Sequence, residues 1–453
     1  MQKSIYIFIF MLFSFAAAAD FKGYLLDADW WKNATFEQIE QQIKMSPNIN
    51  KTDDSGRTAL MYALVFKQPL EVIDILLQKG TKVQKESDDG NTPLVYALSH
   101  KASPEVIDLL LRHGADVNAP DSRGRSPLYL AIGHGYAPEM IEKLIQKGAE
   151  VNDCCTIDGK FRQSILAMTI KNAKFVAENL LKTTEILLQN GAEVNHTENG
   201  TTPLILAVDE QTPPEMIDLL IKYGADVNMQ DMRGNTPLMR AIRMQNPVHT
   251  AQLLEHGADV AADAGEQISL LCYALKYGAL TETIQYLLDL GAEVQPADQS
   301  ENIPLICAAT HPNKPKVIEL LLAHGADVNA TDASGRTALM GVSSAAVADV
   351  LIKHGIDVNA RDKNGSSALM YVKRADVAEL LLQYGAEVNV QNEFGETPLI
   401  RAIMNKAEPK AVETLLVAGA DVKATDKKGL SAADYAERYY PAITELLTQY
   451  GAY

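Results

Sequence analysis

Apolar residues along the chain fall into short runs separated by polar turns, and the runs recur with one period. In 88–118, DDGNTPLVYALSHKASPEVIDLLLRHGADVN, Leu94 and Ala97 share one face of a short helix. Ile107, Leu110 and Leu111 share a face of a second helix at the same helical spacing. Asp88-Asp89-Gly90 supplies a turn, with glycine where a positive φ is needed. Thr92 is placed to cap the first helix, and Pro93 fills its first position, where a missing N–H costs nothing. Ser103-Pro104-Glu105 is expected to start the second helix by the same device. His113 falls in the last turn, favourably against the helix dipole, and Gly114 stops the helix in a left-handed conformation. The unit is turn, helix, helix, and it buries its apolar face only against stacked copies of itself.

The period runs through almost the whole chain. Glycines of the string Gly-Ala-Asp/Glu-Val-Asn and its variants stand at Gly80, Gly114, Gly148, Gly191, Gly224, Gly257, Gly291, Gly325, Gly355, Gly385, Gly419 and Gly451. Their spacings are 34, 34, 43, 33, 33, 34, 34, 30, 30, 34 and 32, and a degenerate copy, Ser46 to Asn50, precedes them. This predicts about thirteen units: a diverged capping unit over 20–52, a regular array over 53–425 and a capping unit over 426–453. Thr35 with Gln38 reads as a capping box at the first end. Trp30 and Trp31 are expected to seal the core there rather than bind a ligand. Tyr435, Tyr439 and Tyr440 sit in a polar final unit, as a terminal repeat requires. The long unit ending at Gly191 is expected to spend its extra residues on longer helices through 171–184. The two 30-residue units, 332–361 and 362–391, are expected to lose nearly one helical turn.

These residues resemble the ankyrin-repeat family, whose pattern runs from D-x-x-G-x-T-P-L-H-x-A to L-L-x-x-G-A-D-V-N. The nearest matches are Asp231 to Leu238 (DMRGNTPL), Asn392 to Leu399 (NEFGETPL) and Ala323 to Asn329 (AHGADVN). The resemblance covers the chain from Phe21 onward and implies an all-α repeat solenoid. It also implies a protein partner, held on a concave face of turn tips and first helices. The family's histidine after T-P-L is absent; Met61, Val95, Tyr129, Met239 and Ile400 are among the residues in its place. Most linkers between the two helices end in proline instead of Gly-His, as at Pro69, Pro104 and Pro138.

Charge narrows the partner class. There are 41 Lys and Arg against 58 Asp and Glu, a net charge of −17, and no basic patch stands out, so nucleic acid and anionic membranes are disfavoured. Hydrophobic residues at 47% and charged residues at 22% fit a folded protein rather than long disorder. Lys3, the apolar run Ile5 to Phe15 and Ala17-Ala18-Ala19 read as a signal peptide over 1–19, cleaved after Ala19. The alternative, an uncleaved anchor, has only fifteen residues where a span needs about 20. The expected location is the periplasm or the medium, with no membrane insertion after cleavage and a monomeric chain.

Catalytic motifs do not stand out. His113, His256, His324 and His354 each precede a helix-ending glycine, one to a repeat, which predicts no metal cluster. No H-E-x-x-H, paired C-x-x-C, G-x-S-x-G or phosphate-binding glycine loop occurs. The expectation is a non-enzyme without cofactor. Cys154-Cys155 is a vicinal pair that a thiol-redox reading would use; the plainer reading is two thiols in a loop. Cys272 and Cys307 lie on first helices of neighbouring units, where they are expected to be small core residues too far apart for a disulfide. Asn33, Asn195, Asn199 and Asn329 head Asn-x-Ser/Thr sequons.

Candidate contact residues follow from one position, just before the alanine of each first helix. It reads Tyr62, Tyr96, Leu130, Leu206, Arg240, Tyr273, Cys307, Gly341, Tyr371 and Arg401. Tyrosine and arginine dominate binding hot spots, so Tyr62, Tyr96, Arg240, Tyr273, Tyr371 and Arg401 are candidates. The alternative is that the tyrosines pack between repeats. Arg57, Arg123, Arg125 and Arg233 near the turn tips complete the set. The functions these residues fit are a periplasmic scaffold, an inhibitor of another protein, or an exported effector acting on a host.

Overall fold

First helices of seven residues and second helices of nine alternate through a computed structural model of the chain. It describes residues 23–452 apart from 153, 158–160, 173–175, 198–199, 262–267, 296–302 and 311–313; the expected signal segment and its cleavage point lie outside the described residues. The chain divides into two compact units, 1–226 and 227–453, a division that falls inside one Gly-Ala-Asp-Val-Asn string and that the repeat register does not mark.

Unit one begins with a capping segment, Ala28–Asn33 and Phe36–Met45. Trp31 is buried there, donating its indole N–H to Leu25 O, and Trp30 packs edge-on against it. Thr35 and Gln38 form the expected capping box. Five helix pairs follow, from Ala59–Val65 with Leu70–Gln78 to Pro203–Asp209 with Pro214–Lys222. Leu60, Leu94, Ile73 and Ile107 are fully buried, each worth about 1.5–3 kcal/mol against exposure. Ala63, Ala97, Ala131 and Ala207 are equally buried, letting first helices approach closely and explaining how a core forms with so few aromatics.

The first helices begin as the sequence dictates: Thr58, Thr92, Ser126, Ser164 and Thr202 each accept the third amide of their helix. Ser103 does not repeat the device. Its backbone is extended at the cap position, but its hydroxyl makes no cap bond and instead faces the Glu105 carboxylate.

The long repeat also departs from expectation. Its extra residues form an antiparallel hairpin, β1 (Cys154–Ile157) and β2 (Phe161–Ser164), and only in part lengthen the second helix, Ala177–Gln189. β-Branched and aromatic residues around Asp158-Gly159 favour strands over helix at this point.

Unit two holds seven repeats among its described residues, from Pro237–Arg243 with Pro247–Glu255 to the terminal Ala432–Tyr439 and Thr444–Gln449. In the two 30-residue repeats the second helices, Ala345–Lys353 and Ala375–Gln383, keep nine residues. The deficit falls on the first helices, which shrink to four-residue 3₁₀ turns at Ala338–Gly341 and Ala368–Tyr371, and on the linker after each, one residue shorter than in a regular repeat. In the final repeat Tyr435 is buried and Tyr439 exposed. Among the described residues no helix is long and apolar enough to cross a membrane.

Candidate protein-binding face

Most turns are built on one acidic residue, whose place Ser87 and Asn392 take in two others. Asp53 Oδ1 accepts the amides of Ser55 and Arg57, while its own amide donates to Arg57 O and its carbonyl accepts from Gly56. The same pattern recurs on Asp121, Asp231, Asp332, Asp362 and Asp426. Gly56 has φ +71°, and a Cβ there would meet the Asp88 backbone nitrogen at 2.7 Å, because Asp88 N donates to Ser55 O of the turn before it. Turns of neighbouring repeats are thus stitched backbone to backbone.

The second carboxylate oxygen of each turn acid takes a brace from within its own repeat; Asp231 takes it from Asn235 at 3.1 Å, and elsewhere the residue nine positions on decides which. Tyrosine there donates its hydroxyl directly: Tyr62 to Asp53 (2.7 Å), Tyr371 to Asp362 (2.5 Å) and Tyr435 to Asp426 (2.6 Å). Tyr96 does the same to Ser87 Oγ at 3.3 Å. Where that position is Leu130 or Gly341, an arginine of the turn folds back instead, Arg125 Nε to Asp121 at 2.7 Å and Arg336 Nε to Asp332 at 2.9 Å. Burial opposes the charge on Asp53 and Asp426. The tyrosine hydroxyls and turn amides outweigh it and hold both carboxyls below their ordinary value. Accepting that hydrogen bond, the Asp426 carboxylate pushes Tyr435 up to about 12, with burial second. Tyr273 breaks the rule: its hydroxyl is buried without a partner, and Ala264, nine residues earlier, has no side-chain acceptor to offer.

The candidate residues therefore separate into two groups. Tyr62, Tyr96 and Tyr273 are buried, and Tyr371, Arg240, Arg401, Arg57 and Arg125 are half-buried. Arg123 and Arg233 are exposed at turn tips. Neighbouring repeats bring some of them together: Arg57 faces Tyr96 and lies 3.7 Å from Asp89, Arg240 faces Tyr273, and Arg401 faces Tyr371. Arg401 is also held by Glu396 at 3.4 Å. Cys154 and Cys155 lie on β1, paired through the backbone with Ser164 and Gln163, and their thiols lie outside the described side chains.

The face also carries groups that the tyrosine–arginine row does not contain. Met232 and Phe394 are 77% and 55% exposed at their turn tips, next to the turn residues Asp231 and one removed from Asn392. The sequence signal was an apolar residue where other turns carry Asp54, Ser122 or Lys427 in the place of Met232, and Ser55, Arg123 or Lys428 in the place of Phe394. Two clefts open along the first helices, both at irregular repeats. One, of about 360 Å³ in unit one, is lined by Arg125, Tyr129, His134, Met168 and Lys171, the last two from the long repeat. The other, of about 400 Å³ in unit two, lies between the short repeats and is lined by Met340, Gly341, Tyr371, Lys373 and Val377.

Helix-end histidines act as the dipole argument requires: His324 and His354 place Nδ1 at 2.8 Å from the Leu320 and Val350 carbonyls. Among the described residues no group of three or more His, Cys, Asp or Glu is arranged to hold a metal ion. The sequon asparagines Asn195 and Asn329 are engaged, each side-chain amide donating to a glycine carbonyl of the next repeat, Gly224 and Gly355. Asn33 donates to Asp29 O, and Asn199 lies outside the described residues.

Comparison with known proteins agrees with this architecture. The family described as "Ankyrin repeats (3 copies)" matches residues 70–154, 173–264, 261–332, 329–392 and 368–453. The B-cell lymphoma 3 protein homolog of Mus musculus is 34% identical over 153 residues, covering 33% of this chain and 34% of that protein. Ankyrin repeat and SOCS box protein 6 of Homo sapiens is 32% identical over 158 residues, 33% of this chain and 38% of that protein. The chain thus spans about a third of the length of these relatives. Among solved structures, the human ASB11 ankyrin repeat domain aligns at 26% identity with a TM-score of 0.42, over 51% of this chain and 100% of that one.

Proposed function

The chain belongs to the ankyrin-repeat family, whose repeats are protein-interaction modules, and on that premise we propose that it is a non-enzymatic binder of another protein. The reading extends to an exported, periplasmic chain acting as scaffold or inhibitor, supported by the signal-like pattern Lys3, Ile5 to Phe15 and Ala17-Ala18-Ala19. One observation carries the binding role. The turns are locked by side-chain braces, Arg125 on Asp121, Asn235 on Asp231 and Asn392 on Glu396, while the residues at their apices, Arg123, Met232, Arg233 and Phe394, vary in type and are exposed. A rigid support with variable, exposed tips loses little side-chain and loop entropy on binding. Contact then falls to the tips and the two clefts, while Tyr62, Tyr96 and Tyr371 hold the tips in place.

The test is affinity purification of tagged 20–453 from the native cell envelope, beside two variants: Arg123→Glu, and Met232→Ser with Phe394→Ser. A stoichiometric partner lost in one variant, with the helical circular dichroism signal intact, supports the reading and assigns the unit responsible. A partner retained by both variants and lost on altering the second helices refutes contact through the tips. The second reading, an exported effector, rests on the same export signal. It requires the chain in the medium rather than in the periplasm.

A further inference from the structure

Two of the four cysteines meet inside unit two. Leu270–Lys276 and Pro304–Ala309 are first helices of neighbouring repeats and pack directly on each other. Cys272 is third in one and Cys307 fourth in the other. The sequence alone predicts that stacked helices hold them apart; the offset of one position instead brings the two thiols within interaction range of each other. Neither forms a disulfide. Cys272 is 1% exposed, whereas Cys307 is only half-buried and so forms the accessible side of the pair. The Lys276 ammonium, at the end of the first of these helices, faces Cys307.

We propose that Cys272 and Cys307 form a reversible redox cross-link that, on meeting a disulfide donor, ties two adjacent repeats together through their first helices. Cys307 gives its proton to solvent, and its thiolate attacks one sulfur of the donor R–S–S–R. The donor bond breaks, one R–S⁻ leaves and Cys307–S–S–R forms. Cys272 then passes its proton to the departing thiolate and attacks Cys307 Sγ, making the Cys272–Cys307 bond and expelling the second R–S⁻. Two protein thiols are oxidised by two electrons, and one donor disulfide is reduced to two thiols.

The environment divides these roles. The interaction with Cys272, helped by Lys276, holds the Cys307 thiol below its ordinary value although burial opposes it; the thiolate is the nucleophile. The same interaction, and burial next, push the Cys272 thiol up, so it reacts second and only within reach of its neighbour. The bond would enclose one repeat length of chain and remove loop-closure entropy from the unfolded ensemble, raising the resistance of unit two to unfolding. Nothing in this depends on which protein the face binds.

The experiment treats the folded full chain with oxidised glutathione, blocks remaining thiols by alkylation and maps peptides without reduction. The expected product is a Cys272–Cys307 linked peptide in most molecules, formed equally in the Cys154→Ser/Cys155→Ser variant. Its urea midpoint should rise and return to the untreated value with dithiothreitol. Glutathione retained on Cys307 without exchange, or both thiols alkylated as in untreated protein, overturns the proposal. These outcomes are read on the natural sequence and need no variant to fold. Cys307→Ser adds a control in which Cys272 should stay reduced.

Discussion

A buried tyrosine hydroxyl on an aspartate is the smallest device on which the turn tips depend. Tyr435 donates to Asp426, and Tyr62 to Asp53, in settings where burial would otherwise favour the protonated acid. Tyr435→Phe should cost about 1.5–3 kcal/mol at neutral pH, the range for a hydrogen bond to a charged group. Because the folded carboxyl lies below its unfolded value, its contribution is complete above pH about 4 and is lost as pH falls through the folded value. The gap between wild type and Tyr435→Phe in urea unfolding should therefore shrink from pH 7 to pH 3. A gap independent of pH would mean that the ring, not the hydroxyl, carries the effect. A second residue-scale device lies in the linkers. Lys67, Lys101, Gln211, Gln245 and Lys406 sit at φ 51–54°, where the equivalent Gly135 and Gly278 sit near 72°. Left-handed backbone costs a side-chain-bearing residue roughly 1–2 kcal/mol, and glycine gives back about 0.5–1 kcal/mol through its freer unfolded chain. Lys101→Gly should accordingly raise stability by about 0.5 kcal/mol, and Gly135→Ala should lower it by about 1 kcal/mol, both read from denaturation midpoints.

Between elements, the asparagine that ends each Gly-Ala-Asp-Val-Asn string is the recurring link. Asn118 Nδ2 donates to Gly148 O at 2.9 Å, and its Oδ1 accepts from Glu150 N at 3.0 Å. Asn359 repeats both bonds, to Gly385 and Glu387, across a shorter repeat. Asn118→Ala removes both and should cost about 1–2 kcal/mol; Asn118→Asp keeps the acceptor alone and should fall between, as equilibrium unfolding would show. Much at this scale was legible beforehand. The left-handed stop admits little but glycine, so the period of Gly114 and its counterparts wrote the repeats into the chain. Thr92 and Thr35 announced their caps because capping is local. What stayed hidden was non-local. The partnership of Asp53 with Tyr62 runs through a turn and across nine residues, so a tyrosine that braces looked the same as one that binds. Its signature, Asp followed nine residues later by Tyr, recurs at Asp362/Tyr371 and Asp426/Tyr435. The hairpin is hard to read because extra length in a helical repeat suggests more helix, although the Asp158-Gly159 dipeptide is a turn signal in the sequence. Cys272 and Cys307 meet through stacking geometry that no single repeat contains.

For the whole molecule, stability is a sum over repeats and their nearest-neighbour interfaces, so a weakened repeat becomes the point at which the stack opens. In unit two that point is set by length. The short repeats bury Ala338, Leu339 and Met340, and Ala368, Leu369 and Met370, from four-residue 3₁₀ turns; Pro398–Met404 buries five residues from a full seven-residue helix. A 3₁₀ turn of four residues closes fewer and poorer backbone hydrogen bonds than an α-helix. Local opening should therefore be easiest at 338–341 and 368–371, where the cleft of about 400 Å³ also lies. Hydrogen exchange on the free chain should find these amides exchanging at least about tenfold faster than those of 400–404, a difference of roughly 1.4 kcal/mol in opening free energy. Uniform exchange across the three segments would show that neighbour packing fully compensates for the missing turn. The same measurement on a purified complex distinguishes the two uses of the shortening. If a partner side chain fills the hollow beside Gly341 and Tyr371, protection rises there first and most, because the segment that opens most readily gains most from being held. Protection confined to the tips around Met232 and Phe394 would leave the short repeats as a structural irregularity of unit two and assign recognition to the turns alone.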